Sequence, residues 1–239
     1  ALSAIALMVA YRQFPAPFRW GWDIIWAKRL LHESWPYMLS GLTIIIYIRI
    51  DQIMLREMMG VRELGVFSAA LPLSATWYFI PMMISQSISP TIARKKNIDP
   101  IGYNKSIIRL FSLMWWIMVP LSAGIALLSQ PIVILLYGSA YKASAGVLAI
   151  HVFANIPVAL GVAQGVWIIN EQKKLLLLSR TSIGAITNIL SNLFLIPKYG
   201  VLGAASATVI STFVSDILSN IVFAPDIFKK QMVSVFRKY

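Results

Sequence analysis

The sequence contains no cysteine, which excludes a disulfide framework and a thiolate metal site. Acids are scarce as well. Nine Asp and Glu stand against 21 Lys and Arg, and charged residues make up 13% of the chain, where soluble domains carry about 25%. Catalytic signatures are missing: no Gly-rich phosphate loop, no Gly-x-Ser-x-Gly elbow and no His-Glu-x-x-His motif occurs. No extramembrane stretch is large enough to fold into a catalytic domain, so ATP hydrolysis is dismissed, an enzyme is not expected and no cofactor is called for. His151 has no second His or Cys at ligand spacing, so a metal site is not expected either; a packed, hydrogen-bonded histidine is.

Apolar surface is what the chain has in excess. Hydrophobic residues make up 58% of its 239 positions, and they gather in long uncharged windows. No Asp, Glu, Lys or Arg occurs from Leu64 to Ala93, from Leu110 to Tyr141, or from Ala143 to Asn170. A bilayer-crossing helix needs about 20 mostly apolar residues, so these windows read as membrane spans in an all-α integral membrane protein. Six full spans are expected, at Ser34–Met58, Val66–Ser89, Ile107–Leu128, Ala145–Ile169, Leu176–Leu195 and Val201–Phe223. Residues 1–11 read as the end of a seventh helix whose start precedes Ala1. Residues 12–33 then form a linker, 34–223 a six-helix bundle, and 224–239 a basic tail. Pro81, Pro120 and Pro157 fall inside spans and predict kinks.

Charge sets the orientation. Fifteen basic residues fall in the 12–33 segment, in the loop holding Arg94, Lys95, Lys96 and Lys105, around Lys173, Lys174 and Arg180, and in the tail. The alternate loops hold only Arg62, Lys142 and Lys198. The positive-inside rule makes the rich side, and with it the C-terminus, cytoplasmic. The net charge of +12 is divided among short segments rather than gathered on one aromatic-lined face, so a nucleic-acid partner is not expected. Anionic lipid headgroups account for it. The segment Phe14–Trp26, with Trp20, Trp22 and Arg19, reads as a stretch lying on the membrane surface or as a plain aromatic anchor.

Ionisable groups within spans are costly and mark pathways. Arg49, Gln52 and Arg56 follow i, i+3, i+7 spacing and share one helix face, from which Asp51 points away. Arg49, Asp51, Gln52 and Arg56 are the candidates for lining a substrate cavity that suits phosphate or acidic sugars; an ordinary helix end near headgroups is the bland alternative. Asp51 and Asp216 are the candidates for ion coupling. Asp216 lies on a polar face with Thr208, Thr212 and Asn220, so it is either a proton or cation site or a hydrogen-bonded buried acid. Gly203, Ala207, Ser211, Ser215 and Ser219 make a small-residue stripe suited to close helix packing. Thr181, Gly184, Asn188 and Asn192 share another face, for which interhelical hydrogen bonding is the expectation.

The run Arg49-Ile50-Asp51-Gln52-Ile53-Met54-Leu55, followed by Gly65-Val66-Phe67-Ser68-Ala69-Ala70, resembles bacterial O-antigen and polysaccharide flippases of the multidrug/oligosaccharidyl-lipid/polysaccharide exporter superfamily. Trp77-Tyr78-Phe79-Ile80-Pro81, Ser89-Pro90, Leu136-Tyr137-Gly138 with Tyr141, Ala145 to His151, and Leu195-Ile196-Pro197-Lys198-Tyr199-Gly200 with Gly203-Ala204-Ala205 and Ala207-Thr208 continue the likeness. It covers roughly Trp35 to Phe223, and its specificity lies in the order and spacing of phrases that are individually weak. The resemblance implies two six-helix bundles facing a central cavity and working by alternating access, with this chain as the second. It also implies an undecaprenyl-diphosphate-linked oligosaccharide as substrate, moved from the cytoplasmic to the outer leaflet of the bacterial cytoplasmic membrane, with proton or sodium uptake as driving force. The implied partners are the first bundle, polysaccharide polymerase and chain-length proteins. Rival readings are a lipid II flippase, a drug/cation antiporter, and a membrane-embedded polymerase or assembly scaffold; the short outer loops speak against the polymerase.

Overall fold

The computed structural model describes residues 23–236. The expected helix end at 1–11, most of the Phe14–Trp26 stretch and the last tail residues lie outside them. The chain divides into two units, Ala1–Trp35 and Pro36–Tyr239. In the first, Asp23 starts helix α1 (Ile24–Met59): its carboxylate oxygen accepts from the backbone N–H of Ile25 at 2.9 Å and Trp26 at 3.3 Å, satisfying donors that have no intrahelical partner. The helix thus begins ten residues before the expected Ser34, and part of the presumed linker is helical. Arg29 pairs with Glu33 one turn on, at 3.0 Å, and lies over the Trp26 ring.

The second unit continues α1 and adds α2 (Val61–Ala75), α3 (Phe79–Ile98), α4 (Pro100–Leu127), α5 (Ser129–Tyr137), α6 (Lys142–His151), α7 (Asn155–Asn170), α8 (Lys174–Phe213), α9 (Ser219–Phe223) and α10 (Pro225–Phe236). Short 3-10 turns at Thr76–Tyr78 and Val152–Ala154 join α2 to α3 and α6 to α7. Each lies just before a proline, Pro81 and Pro157. A proline has no N–H for the carbonyl four residues back, and its ring crowds that carbonyl; those carbonyls belong to Trp77 and Phe153, the middle residues of the two turns. Through Pro120, in contrast, α4 runs on as unbroken α-helix.

Among the described residues, five elements are long and apolar enough to cross a membrane: Ile24–Met59, Val61–Ile98, Pro100–Leu127, Ser139–Asn170 and Lys174–Phe223. The expected count of six whole spans is not matched. The difference lies in the last element, whose 50 residues would reach about 75 Å if straight. It is not straight. Gly200 has φ 57° and ψ −132°, a conformation open to glycine and strained for other residues, and the chain doubles back there. Ser215 reaches the Arg180 carbonyl at 3.1 Å and Asn188 reaches Ser211 at 3.4 Å, so the two limbs run antiparallel. Two shorter helices lie outside the expected spans: α5 within 129–144, and α10 in the C-terminal segment, which buries Ile227, Gln231 and Ser234.

The small-residue stripe lies in this hairpin. Gly203, Ala207, Ser211, Ser215 and Ser219 are all buried. A methyl group on Gly203 would come within 2.2 Å of the Leu195 carbonyl oxygen, and one on Gly184 within 2.9 Å of the Ser215 Cβ. Between lipid-embedded helices the hydrophobic effect supplies little attraction, so such backbone approach and the hydrogen bonds it permits must hold the limbs together. We expect Gly203→Ala to cost about 1–3 kcal/mol, read as a lower melting temperature in detergent; an unchanged melting temperature would show that the hairpin tip is slack.

Two buried apolar clusters complete the unit. One joins Phe111, Met114 and Met118 of α4 to Leu160 and Ile168 of α7 and Ile227 of α10. The other joins Leu55 of α1, Phe67 of α2, Val133 of α5, Leu148 of α6 and Ile196 of the hairpin. Leu55 is one of only four buried residues of α1, with Pro36, Ser40 and Asp51. Asp51 and Leu55 are one turn apart, so the face of α1 that meets the hairpin carries a carboxylate.

Candidate functional site

Asp51 is 4% exposed. One of its carboxylate oxygens accepts from the Asn192 amide at 2.5 Å and the other from the Thr208 hydroxyl at 2.6 Å. A straight helix would set Asn192 and Thr208 about 24 Å apart; the reversal at Gly200 brings them to one carboxylate. The Asn192 amide also donates to Asn188 Oδ1 at 3.1 Å, Asn188 donates to Ser211, and the Tyr47 hydroxyl lies 2.9 Å from Ser211 Oγ. Among the described residues no Lys, Arg or His pairs with Asp51. The Asn192 side-chain oxygen is buried without a hydrogen-bond partner. The cluster therefore combines one acid, paired with no cation among the described residues, with neutral oxygens from α1 and both limbs of the hairpin.

Asp216 has the opposite surroundings. It sits in a π-helical turn, Val214–Leu218, the kind of bulge that recurs at functional sites. Its Oδ1 lies 3.4 Å from Arg180 Nη1, both side chains being largely buried. Arg180 also donates to Gln164 Oε1 at 3.0 Å and to the Gly161 carbonyl at 3.2 Å. Gln164 and Asn220 exchange amide hydrogen bonds at 2.7 and 3.0 Å, and Gln231 of α10 donates to the Asp216 carbonyl at 3.0 Å. The pair thus ties α7, both limbs of the hairpin and α10 together. A methyl group on Gly161 would sit 2.6 Å from the Asp216 Cγ, so the absence of a side chain there makes room for the acid.

The cationic stripe stays outside both clusters. Arg49 and Arg56 are exposed, and Arg49 donates to Gln52 Oε1 at 3.3 Å. Asp51 points away from them, as the helical spacing requires. The structure thus separates the four cavity candidates into two exposed arginines, a half-buried Gln52 and one buried acid, and it does not bring Asp51 and Asp216 together. His151 is a packed histidine: Nδ1 lies 2.8 Å from Ser74 Oγ and its ring stands edge-on to Phe67. Arg180, which the sequence places just inside its span and counts with the basic side, is 7% exposed inside the bundle. Its signal was the single Asp facing it in the next span. Asn188, Asn192 and Thr208 were legible as polar faces, with nothing local to say which acid they meet.

Residues 1–146 match the family model described as "Polysaccharide biosynthesis protein", well over half of the chain. The chain belongs to that family. Within and beyond it, 179 residues are 32% identical to a probable flippase, AglR, of Haloferax volcanii, covering 72% of this chain and 37% of that protein. The fold is similar to that of a solved structure of the lipid II flippase MurJ, inward closed conformation, with a TM-score of 0.66 at 15% identity over 98% of this chain and 52% of MurJ. This polysaccharide biosynthesis family member is a multi-pass, all-helical membrane protein, and the chain spans about half the length of MurJ and less of AglR.

Proposed function

We propose that the intact protein moves a lipid-linked oligosaccharide from the cytoplasmic to the outer leaflet of the bacterial cytoplasmic membrane, within O-antigen or related polysaccharide synthesis, and that uptake of a small cation or proton at Asp51 drives it. The observation that carries this reading is the buried Asp51 carboxylate held by Asn192 and Thr208 with no matching positive charge among the described residues. An acid in that setting favours a partner of charge +1, and oxygen donors beside unwound helix segments serve Na⁺ or H⁺ in secondary transporters. Asp216 already has Arg180 beside it, so Asp51 is the coupling acid. The exposed Arg49 and Arg56 face the central cavity, where guanidinium groups suit the diphosphate of the carrier lipid. The other wall of that cavity is the first bundle, and the alternating-access motion takes place between the two. Polymerase and chain-length proteins act on the product.

The test is the sidedness of the lipid-linked repeat unit in cells lacking the gene, read with an impermeant glycan label. We expect complete units to accumulate on the cytoplasmic side, and the intact gene to restore their outward passage. Complete units that reach the outer leaflet unpolymerised would instead assign the protein to the polymerase step. The MurJ-like fold makes a lipid II substrate the second reading; accumulation of lipid II rather than the oligosaccharide would select it.

A further inference from the structure

At the basic end of the unit three lysines from separate elements gather near two acids, Glu171 and Asp226. Lys96, at the end of α3, donates to the Asn170 carbonyl and lies 3.5 Å from Glu171 Oε2. The other Glu171 oxygen accepts from Tyr103 Oη at 2.9 Å. Lys173 lies over the Trp167 ring, 4.8 Å from its centroid. Lys230 of α10 feels the charges of Asp226, Glu171 and Lys173. Among the described residues it has no hydrogen bond or ion pair. The turn that presents Glu171 and Lys173 is held in place by Gln172, whose φ of 54° is strained for a residue other than glycine, a cost that tends to persist where function requires it. With both Glu171 oxygens engaged, three ammonium groups stand near two carboxylates, Glu171 and Asp226, an excess charge of one.

We propose that Lys96, Lys173 and Lys230 form a binding site for the phosphate of a lipid headgroup, separate from the Asp51 site and independent of whether the protein transports. Three features favour that ligand. The cluster lies where α3, α4, α7 and α8 end, the depth at which headgroups sit when those helices cross a bilayer. Trp167 and Tyr103 supply the amphipathic rings common at that level. Lysines from three separate elements can meet the several oxygens of a phosphate as point charges. Burial draws the Lys230 ammonium below the usual lysine range, Asp226 and Glu171 draw it back, and Lys173 adds to the depression; a bound phosphate would relieve it.

Two phosphates can reach this rim, that of a membrane phospholipid and the diphosphate of a polyprenyl carrier. The experiment uses the intact protein in detergent, with native mass spectrometry of bound phosphatidylglycerol and, separately, undecaprenyl diphosphate. The combined Lys96→Gln, Lys173→Gln and Lys230→Gln variant is expected to lose at least about tenfold in affinity, given roughly fivefold for each basic residue near an anionic headgroup. Lys142→Gln with Lys198→Gln, from the sparsely charged loops, is expected to leave binding unchanged. Glu171→Gln is expected to strengthen it, since the acid competes with the phosphate for the same lysines. A purely structural cluster would not improve when the acid that pairs with Lys96 is removed. Loss for phosphatidylglycerol alone marks a resident phospholipid; loss for the diphosphate alone marks a carrier site on the substrate's route. Undiminished affinity of the triple variant for both lipids, or weaker binding in Glu171→Gln with an unchanged melting temperature, would overturn the proposal.

Discussion

Asp51→Asn is expected to stop ion-driven translocation while leaving the protein as stable as the parent or more so. A buried ionised carboxylate costs several kcal/mol in desolvation unless a positive charge offsets it, and no such charge lies beside Asp51 among the described residues. Asn has the same shape and carries no charge. Its oxygen can accept from one neighbour and its amide can donate to the Asn192 oxygen that lacks a partner. Removing the charge therefore stabilises the fold and eliminates the reason for a cation to enter. Transport is expected to fall at least about tenfold, since ions and substrate would lose a coupling free energy of about 1.4 kcal/mol or more. The melting temperature supplies a second reading. A cation at about 100 times its Kd adds about 2.7 kcal/mol to the stability of the state that binds it. Sodium or acid should therefore raise the melting temperature of the parent and leave Asp51→Asn unmoved. If the variant transports with the parent's cation dependence, the coupling site lies elsewhere. A variant that melts far below the parent would show Asp51 to be a structural acid.

The Arg180–Asp216 pair is expected to behave in the opposite sense, as a structural tie whose halves are harmful alone. Both side chains are largely buried and 3.4 Å apart. Arg180→Gln leaves Asp216 without its cation, and Asp216→Asn leaves Arg180 facing only amide and carbonyl oxygens. Either change strands a charge, at a cost of about 3–5 kcal/mol, which in a protein of this size lowers the melting temperature by about 10 °C. The combined Arg180→Gln and Asp216→Asn variant removes both charges and keeps the hydrogen bonds to Gln164 and the Gly161 carbonyl within reach. It should recover most of the loss, a coupling energy of about 2 kcal/mol or more between neighbouring sites. Simple additivity of the two losses would mean that the pair carries no mutual stabilisation. Cation-dependent transport by the double variant is expected to persist, which separates this pair from Asp51. Its abolition in a stably folded double variant would move ion coupling to Asp216.

The long uncharged windows read correctly as membrane-crossing helices because a bilayer imposes its thickness on each apolar run, and that constraint is local. The small-residue stripe was legible for the same reason: an i+4 repeat puts Gly203, Ala207, Ser211, Ser215 and Ser219 on one face of one helix, whatever that face meets. The loops were harder. Nothing in the composition of 129–144 or 224–239 announced helices α5 and α10, whose helical form rests on packing Val133 and Ile227 into the two clusters. The partner of Arg180, just inside its span, lies 36 positions away in Asp216 and has no local signal.

The polar face Thr208, Thr212, Asp216 and Asn220 marks where the two kinds of information part. Helical periodicity places all four on one line, and the sequence by itself establishes that each is polar, membrane-embedded and costly to bury. Thr208 meets Asp51, whereas Asp216, in the π turn at Val214–Leu218, and Asn220 meet Arg180 and Gln164. Spacing along one helix decides which residues are neighbours on its surface. Which acid is matched by a cation and which is left with neutral donors depends on the reversal at Gly200 and on contacts between four separate elements. Only the tertiary structure brings those together, because the energy that selects a partner for a buried charge lies across the space between helices.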